Sequence, residues 1–249
     1  MDRIALVTGA SRGIGHAAAL ALAGRGLGLV LAAEGSVAEL EAAVAACRAA
    51  GAPRAEWLLA DLALPGAAER MVEEALARTG RIDVLVNNAG IRCRKPFGSF
   101  SREEFDRVVQ VNLGAAFFAS QAVLPAMRAQ GGGRIIHVAS QMASVAAEDN
   151  ALYGLTKAAL AHLAKSMAFE LAGENIQVNA VSPGPIATAY NLESYGRQPG
   201  KMAQMTARVP AGRFGAPEEV AATIAWLATK APAFLQGHDL VVDGGYIIH

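Results

Sequence analysis

The stretch "ALYGLTKAAL", residues 151–160, sets Tyr153 four positions ahead of Lys157 in otherwise apolar surroundings. On a helix that spacing stacks the two side chains about a turn apart on one face. A phenol beside an ammonium is a proton-handling pair. Free tyrosine ionises near pH ~10, and lowering that by two to three units asks for about 3–4 kcal/mol in favour of phenolate. A unit positive charge at ~4 Å supplies about 4 kcal/mol at an effective dielectric of ~20. Such a phenol can protonate the alkoxide formed when a ketone is reduced, or take the proton of an alcohol being oxidised. A core tyrosine with a surface lysine is the ordinary alternative. With four tyrosines and five lysines in the chain, the pair alone does not decide between them.

Four apolar runs end in sequence that such a pair would need nearby. "TGASRGIG" (8–15) holds Gly9, Gly13 and Gly15 at G-x-x-x-G-x-G spacing, between a strand pattern and a helix pattern. Glycines there permit a tight turn, close approach of backbone to a pyrophosphate, and close packing of helix on strand. The helix N-terminus then offers N–H donors to the anion. The spacing differs from the G-x-G-x-x-G fingerprint, but the strand–turn–helix context is the one the mechanism requires. Asp61 in "LLADLAL" suits either a turn cap or an acceptor for an adenine amino group. In "NNAG" (87–90) paired asparagines can tie neighbouring loops, while Gly90 leaves room for a flat ligand. "VAS" (138–140) puts Ser140 at a strand end shortly before Tyr153, as a capping serine or as a partner of the phenol.

The elements that must position these residues alternate along the chain. Strands are expected over 3–9, 27–33, 55–61, 82–88, 133–140, 176–183 and 238–245, and helices over 13–25, 36–51, 66–79, 101–130, 151–173 and 217–229. Apolar strands bounded by glycine or proline and followed by helices read as right-handed βαβ units. The fold class is therefore α/β: a single-domain, doubly wound parallel sheet of about seven strands flanked by helices, spanning 1–249. Ligands of such sheets gather at the carboxyl ends of the strands. The segment 188–213 has few regularly spaced apolar residues and reads as a long insertion, of the kind that forms lids or binding loops.

Composition bounds the partners. Acidic and basic residues balance at 22 each, so no basic field points to nucleic acid or an anionic membrane. Cys47 and Cys93 are too sparse for a disulfide scaffold, and the five histidines are scattered, so no metal is expected. The opening "MDRIALVTGAS" enters a strand pattern without an apolar leader, and no uninterrupted apolar run reaches the ~18 residues of a membrane span. A soluble protein of the cytoplasm is the expectation.

"TGASRGIG", "NNAG", Asn112 in "QVNLG", Ser140, Tyr153-x-x-x-Lys157 and "PG" at 183–184 together resemble the classical short-chain dehydrogenase/reductase family, in its order and over essentially the whole chain. The resemblance implies a Rossmann-type domain, an NAD(P) cofactor, usually a homotetramer, and a catalytic set of Asn112, Ser140, Tyr153 and Lys157. In that set Tyr153 is the general acid/base, Lys157 depresses its pKa and holds the cofactor ribose, Ser140 hydrogen-bonds the substrate oxygen, and Asn112 holds a water that relays protons to Lys157. The implied cofactor seat runs over Gly9, Ser11, Arg12, Gly13, Ile14 and Gly15. It continues through Ala33, Glu34, Asp61 and Leu62 to Asn88, Ala89 and Gly90. Pro183, Gly184, Ile186 and Thr188 close it beside Tyr153 and Lys157.

NAD-preferring relatives usually carry aspartate at the end of the second strand, where this chain has Ala33. That, with Arg12, leans toward NADP, whereas Glu34 would repel a 2′-phosphate, and both cofactors stay open. A small-molecule substrate is expected near Ser140, Gln141, Met142, Asn150 and Tyr153, facing Pro185, Tyr190 and Asn191, with Glu148 and Tyr195 close by. That mix suits a small hydroxylated or keto compound better than a steroid. A 3-oxoacyl-carrier-protein reductase and a sugar or polyol dehydrogenase compete. Gly131 and Glu174 stand where carrier-binding relatives tend to be basic, and the basic "RCRK" (92–95) reads as a solvated loop or a docking patch. A dinucleotide-binding regulator without turnover, and an epimerase or dehydratase, are the readings from other classes. Helices 113–130 and 155–172 carry more apolar side chains (Phe117, Phe118, Leu160, Leu163, Met167, Phe169) than one sheet face needs. Together with the apolar end of the chain they suggest packing between subunits, as a homotetramer or homodimer.

Overall fold

Successive residues of the first strand, Ile4–Thr8 (β1), point to opposite faces, and both faces are covered, which is why its sequence is uninterruptedly apolar. The same holds for Gly28–Ala33 (β2) and Ile176–Pro183 (β6), buried throughout. With Ala55–Leu59 (β3), Val84–Asn87 (β4), Gly133–Val138 (β5) and Asp239–Val242 (β7) they form one parallel seven-stranded sheet, ordered β3-β2-β1-β4-β5-β6-β7. The computed structural model describes residues 2–197 and 199–248. The last strand ends sooner than expected because Gly244 and Gly245 turn the backbone to positive φ.

Helices Gly13–Ala23 (α1), Val37–Ala49 (α2) and Pro217–Thr229 (α9) pack on one face with Ala5, Val7, Leu29 and Leu31. Ala67–Thr79 (α3), Ala115–Ala129 (α5) and Ala151–Leu171 (α6) cover the other with Ile4, Leu6, Val30 and Leu85. The chain leaves β1 toward β2 and β3, then returns to the other side of β1 for β4. A crevice is left at that reversal, above the carboxyl ends of β1 and β4.

Two segments depart from expectation. The helix foreseen over 101–130 is three pieces: Arg102–Val109 (α4), started by a reciprocal Ser101/Glu104 capping box, a π turn at Gln110–Gly114, and α5. By length and composition this run could cross a membrane, yet α5 lays Ala119, Val123 and Met127 against the sheet as a core helix. The segment 188–213 is not an open loop but carries two short helices, Ala189–Gly196 (α7) and Lys201–Ala207 (α8). Thr188 caps the first by accepting from Asn191 N, and Tyr195 is buried edge-on against Phe214. Of the apolar side chains expected between subunits, Leu160 turns into the core and Met167 leans on it, while Phe117, Phe118 and Phe169 face outward. At the chain end Tyr246 is buried and Ile248 exposed.

Candidate active site

The crevice is a cleft of about 450 Å³. Its floor begins where β1 stops. Gly9 and Gly13 both take positive φ, +63° and +59°, and a Cβ on Gly15 would sit 2.2 Å from the Gly9 carbonyl oxygen. The loop therefore needs glycine for two different reasons, turn geometry at Gly9 and Gly13, helix–loop contact at Gly15. No side chain caps α1, and no acidic residue stands in its first turn, so its leading N–H groups face the cleft unclaimed. An uncapped helix start under a glycine cradle is what a dinucleotide pyrophosphate requires, and the residues present fit that group.

The asparagines knit this floor together. Asn88 Nδ2 donates to the carbonyls of Thr8 (2.9 Å) and Gly9 (3.1 Å), and Thr8 Oγ1 accepts from Asn88 N and Ala89 N, each at 3.0 Å. Asn87 instead points below, donating to Ser120 Oγ and contacting His137 Nδ1 at 3.2 Å. His137 is buried, and desolvation, then the charge of Lys157, pushes its pKa down to about 3, so the ring stays neutral.

The opposite wall is α6. Tyr153 and Lys157 lie on one face of it, both buried, with Lys157 Nζ 5.7 Å from the phenol ring centre and donating to Val138 O at 2.7 Å. Ser140 follows β5 and accepts from Met142 N at 3.2 Å, so it caps a short 3₁₀ turn while its hydroxyl faces the phenol. Burial raises the Tyr153 pKa, but the charges of Lys157 and Arg92, with polar contacts from Arg92 and Ser140, outweigh it and the net shift is downward. Burial also lowers the Lys157 pKa, opposed by Tyr153 and aided by Arg92. Asn112, in the π turn, is fully buried behind the cleft. Its amide clamps Ile91 from both sides, accepting from the N–H at 2.8 Å and donating to the carbonyl at 3.0 Å, and donates to Thr156 Oγ1 on α6.

Most of the foreseen cofactor seat comes together. Gly9, Ser11, Arg12, Gly13, Ile14, Ala33 and Glu34 line the cleft, as do Leu62, Asn88, Ala89 and Gly90. Tyr153, Lys157, Pro183, Gly184, Ile186 and Thr188 complete it. Gly184 also has no room for a side chain, since a Cβ would sit 2.5 Å from Asp243 Cα. Asp61 does not line it: the carboxylate is exposed and accepts from Ala63 N at 3.0 Å, a turn two residues long. Among the substrate candidates, Ser140, Tyr153, Tyr190 and Asn191 line the cleft. Gln141 and Asn150 are buried beside it, each with its side-chain oxygen unpartnered, and Met142 and Pro185 lie outside the lining.

The "RCRK" segment is corrected. It is neither a solvated loop nor an open patch: Arg92 lines the cleft with its guanidinium carbon 4.6 Å from the Tyr153 ring centre, and Arg94 lies 5.2 Å from the Tyr195 ring centre. Lys95 turns the other way and pairs with Glu104. Sequence carried no sign of this, because residues 91–96 have neither helical nor strand periodicity and the clamp on Ile91 comes from Asn112, 21 positions on. Among the described residues no cluster of three or more His, Cys, Asp or Glu side chains is placed to hold a metal ion.

The family model described as enoyl-(acyl carrier protein) reductase matches residues 9–247. The chain is 40% identical to L-rhamnose 1-dehydrogenase (NAD(P)+) of Azotobacter vinelandii, over 100% of this chain and 98% of that protein. It is 38% identical to cis-4-hydroxycyclohexanecarboxylate dehydrogenase of Sinomonas cyclohexanicum, over 98% and 96%. A crystal structure of a 3-oxoacyl (acyl-carrier-protein) reductase from Agrobacterium tumefaciens C58, with NADP bound, superposes at a TM-score of 0.92 with 32% identity, covering 98% of this chain and 94% of that one. Sheet order, glycine cradle and kinship along the whole length agree: the chain belongs to the classical short-chain dehydrogenase/reductase family and is an NAD(P)-dependent oxidoreductase.

Proposed function

We propose that this oxidoreductase interconverts a secondary alcohol and a ketone on a small polar substrate, with Tyr153 as general acid/base. The observation that carries the reading is the buried Tyr153 phenol in the cofactor cleft, with its pKa lowered by flanking cations. A bound nicotinamide cofactor supplies or accepts the hydride. Gly9, Ser11, Gly13 and the start of α1 would hold its phosphates, and Lys157 its ribose. In the oxidative direction Tyr153 takes the hydroxyl proton while Ser140 hydrogen-bonds the same oxygen. In the reductive direction Tyr153 returns it. Lys157, fixed by Val138 O, keeps phenolate accessible. The place a side chain at Gly90 would fill lies 3.4 Å from both Asn112 Oδ1 and Lys157 Nζ, so its absence leaves both atoms within reach of one relay water. Tyr153→Phe is expected to lower kcat by about 10²–10⁴-fold with cofactor binding retained. A variant within tenfold of wild type overturns the assignment.

NADP is the favoured cofactor on the strength of Ala33 and Arg12, with Glu34 opposing it at the rim. The relatives named for L-rhamnose and for a hydroxycyclohexanecarboxylate support a compact hydroxylated substrate. A carrier-protein substrate has weaker support, because Glu174 engages Arg128 in a two-bond ion pair and so neutralises the helix end where an acidic carrier would dock. The outward Phe117, Phe118 and Phe169 support a homotetramer, or failing that a homodimer, and the balanced charge supports a soluble cytoplasmic protein.

A further inference from the structure

The reacting end of the cleft carries more positive charge than the chemistry derived above uses. Lys157 has its task and Arg92 helps it lower the Tyr153 pKa, but that chemistry asks for no planar fork and makes no use of Arg94. Elsewhere the part-buried Arg48 and Arg134 are held by backbone carbonyls, and several arginines of this neutral chain find carboxylates: Arg54 with Glu56, Arg81 with Asp83, Arg128 with Glu174, Arg213 with Glu219. Among the described residues neither Arg92 nor Arg94 does. Neutral groups hold them instead. Arg92 Nη1 reaches Asn191 Oδ1 at a long 3.5 Å, and its face lies on the Tyr153 ring. Arg94 donates to Ser194 Oγ and Tyr195 Oη, each at 3.2 Å, and its Nε is buried with no acceptor among the described residues. A guanidinium has five N–H donors, and among the described residues those on Arg92 meet only Asn191 and the Tyr153 phenol.

The mounting is rigid. The Asn112 clamp on Ile91 sets the heading of the chain just before Arg92. Arg92 and Arg94 both reach the same short helix, α7, at Asn191 and at Ser194 and Tyr195. Asn191, which meets Arg92, is itself fixed by donating to Ile186 O at 2.8 Å. Half-buried, paired cations with neutral supports are costly to keep unless an anion completes them.

We infer that the substrate carries a carboxylate, and that Arg92, backed by Arg94, is its anchor beside the reacting carbinol. This rests on the dehydrogenase reading and narrows its substrate class to compact hydroxy acids and their keto acids. The planar fork of Arg92 matches a carboxylate in a way that a lysine would not. Its closeness to the Tyr153 ring sets the carboxylate a few bonds from the carbon being oxidised. The balance is that of the family reaction: the carbinol C–H leaves as hydride to the oxidised cofactor, the O–H proton goes to Tyr153, and the carboxylate passes through unchanged.

The test compares matched pairs, D-gluconate with D-glucitol and 3-hydroxybutyrate with its methyl ester, on wild type, Arg92→Gln and Arg92→Lys. The expected result is preference for the acid in wild type. In R92Q, kcat/KM for the acid falls about 10- to 100-fold more than for its uncharged partner, largely through KM, and R92K recovers part of it. Equal losses on both members, or turnover of uncharged alcohols alone, overturn the anchor while leaving the dehydrogenase reading intact. Thermal shifts of the NADP-loaded protein in tens of millimolar acetate or inorganic phosphate provide a readout independent of turnover. Stabilisation by acetate that R92Q abolishes supports the inference. Stabilisation by phosphate alone, or a shift indifferent to Arg92, overturns it. Loss of all alcohol oxidation by wild type across a broad panel, despite cofactor binding, sinks the dehydrogenase reading instead.

Discussion

At the scale of single residues, Tyr153 is a phenol whose acidity is set by a contest. Burial resists ionisation, and Lys157, Arg92 and Ser140 overcome it. Because cations favour the phenolate, the lowered pKa places the rise of alcohol oxidation at lower pH than free tyrosine would give. Removing either cation reverses this. Lys157→Met and Arg92→Gln are each expected to move the rising limb of the kcat–pH profile to higher pH, and a limb that stays put or moves down counts against the electrostatic account. Glu34 offers a second, independent prediction. It is exposed at the rim of the cleft, where a carboxylate would meet a 2′-phosphate. Glu34→Gln is expected to raise the NADP-to-NAD ratio of kcat/KM about fivefold, the modest size usual for surface charges, as checked by initial rates with both cofactors. Legibility at this scale was uneven. Tyr153 and Lys157 drew notice by their helical spacing in an apolar run, and they and Ser140 gained roles only through the joint motif pattern. Arg92 did not, because an arginine in an aperiodic loop looks the same whether it faces solvent or ligand.

At the scale of elements, the strands were readable because burial on both faces writes an unbroken apolar run, as in Ile4–Thr8. The two helices of segment 188–213 were not, since Thr188's cap and Tyr195's contact with Phe214 are tertiary partners rather than a period in the sequence. The π turn at Gln110–Gly114 was equally hidden: its five residues fit the helical pattern on either side. Two predictions belong here. Gly15→Ala forces a methyl to 2.2 Å from the Gly9 carbonyl oxygen, which is backbone, and to 2.5 Å from Asn88 Nδ2. A loss of about 1–3 kcal/mol in denaturant unfolding, with weakened cofactor binding, is the expected outcome. On β5, His137 is held neutral with a pKa of about 3. The unfolded chain takes up that proton below pH ~6.5 and the native state does not, so stability falls as pH drops from ~6.5 toward ~3. At pH ~5 the contribution lost is roughly 2 kcal/mol. His137→Asn is expected to flatten the slope of the unfolding midpoint against pH over that window, whatever its absolute stability.

At the scale of the whole molecule, the outward aromatics carry the proposed assembly. Phe169 is 91% exposed on α6, and Phe117 and Phe118 form an edge-to-face pair, 46% and 41% exposed, on neighbouring α5. Phe169→Glu is expected to lower the assembly state measured by light scattering at micromolar concentration, with the far-ultraviolet circular dichroism unchanged. Wild type running as a monomer refutes the assembly outright. The apolar excess on these helices was visible in the sequence. Which side chains turn inward was not, since Leu160 and Phe169 read alike until packing buries the one and leaves the other exposed.

The Asn112 amide that grips both polar groups of Ile91 also holds Thr156 of the proton-handling helix. Position 92 therefore leaves a fixed gatepost, and its bearing is indifferent to the side chain mounted there. Guest selection and proton chemistry meet at that one residue: swapping it re-keys the lock and also retunes the phenol behind it.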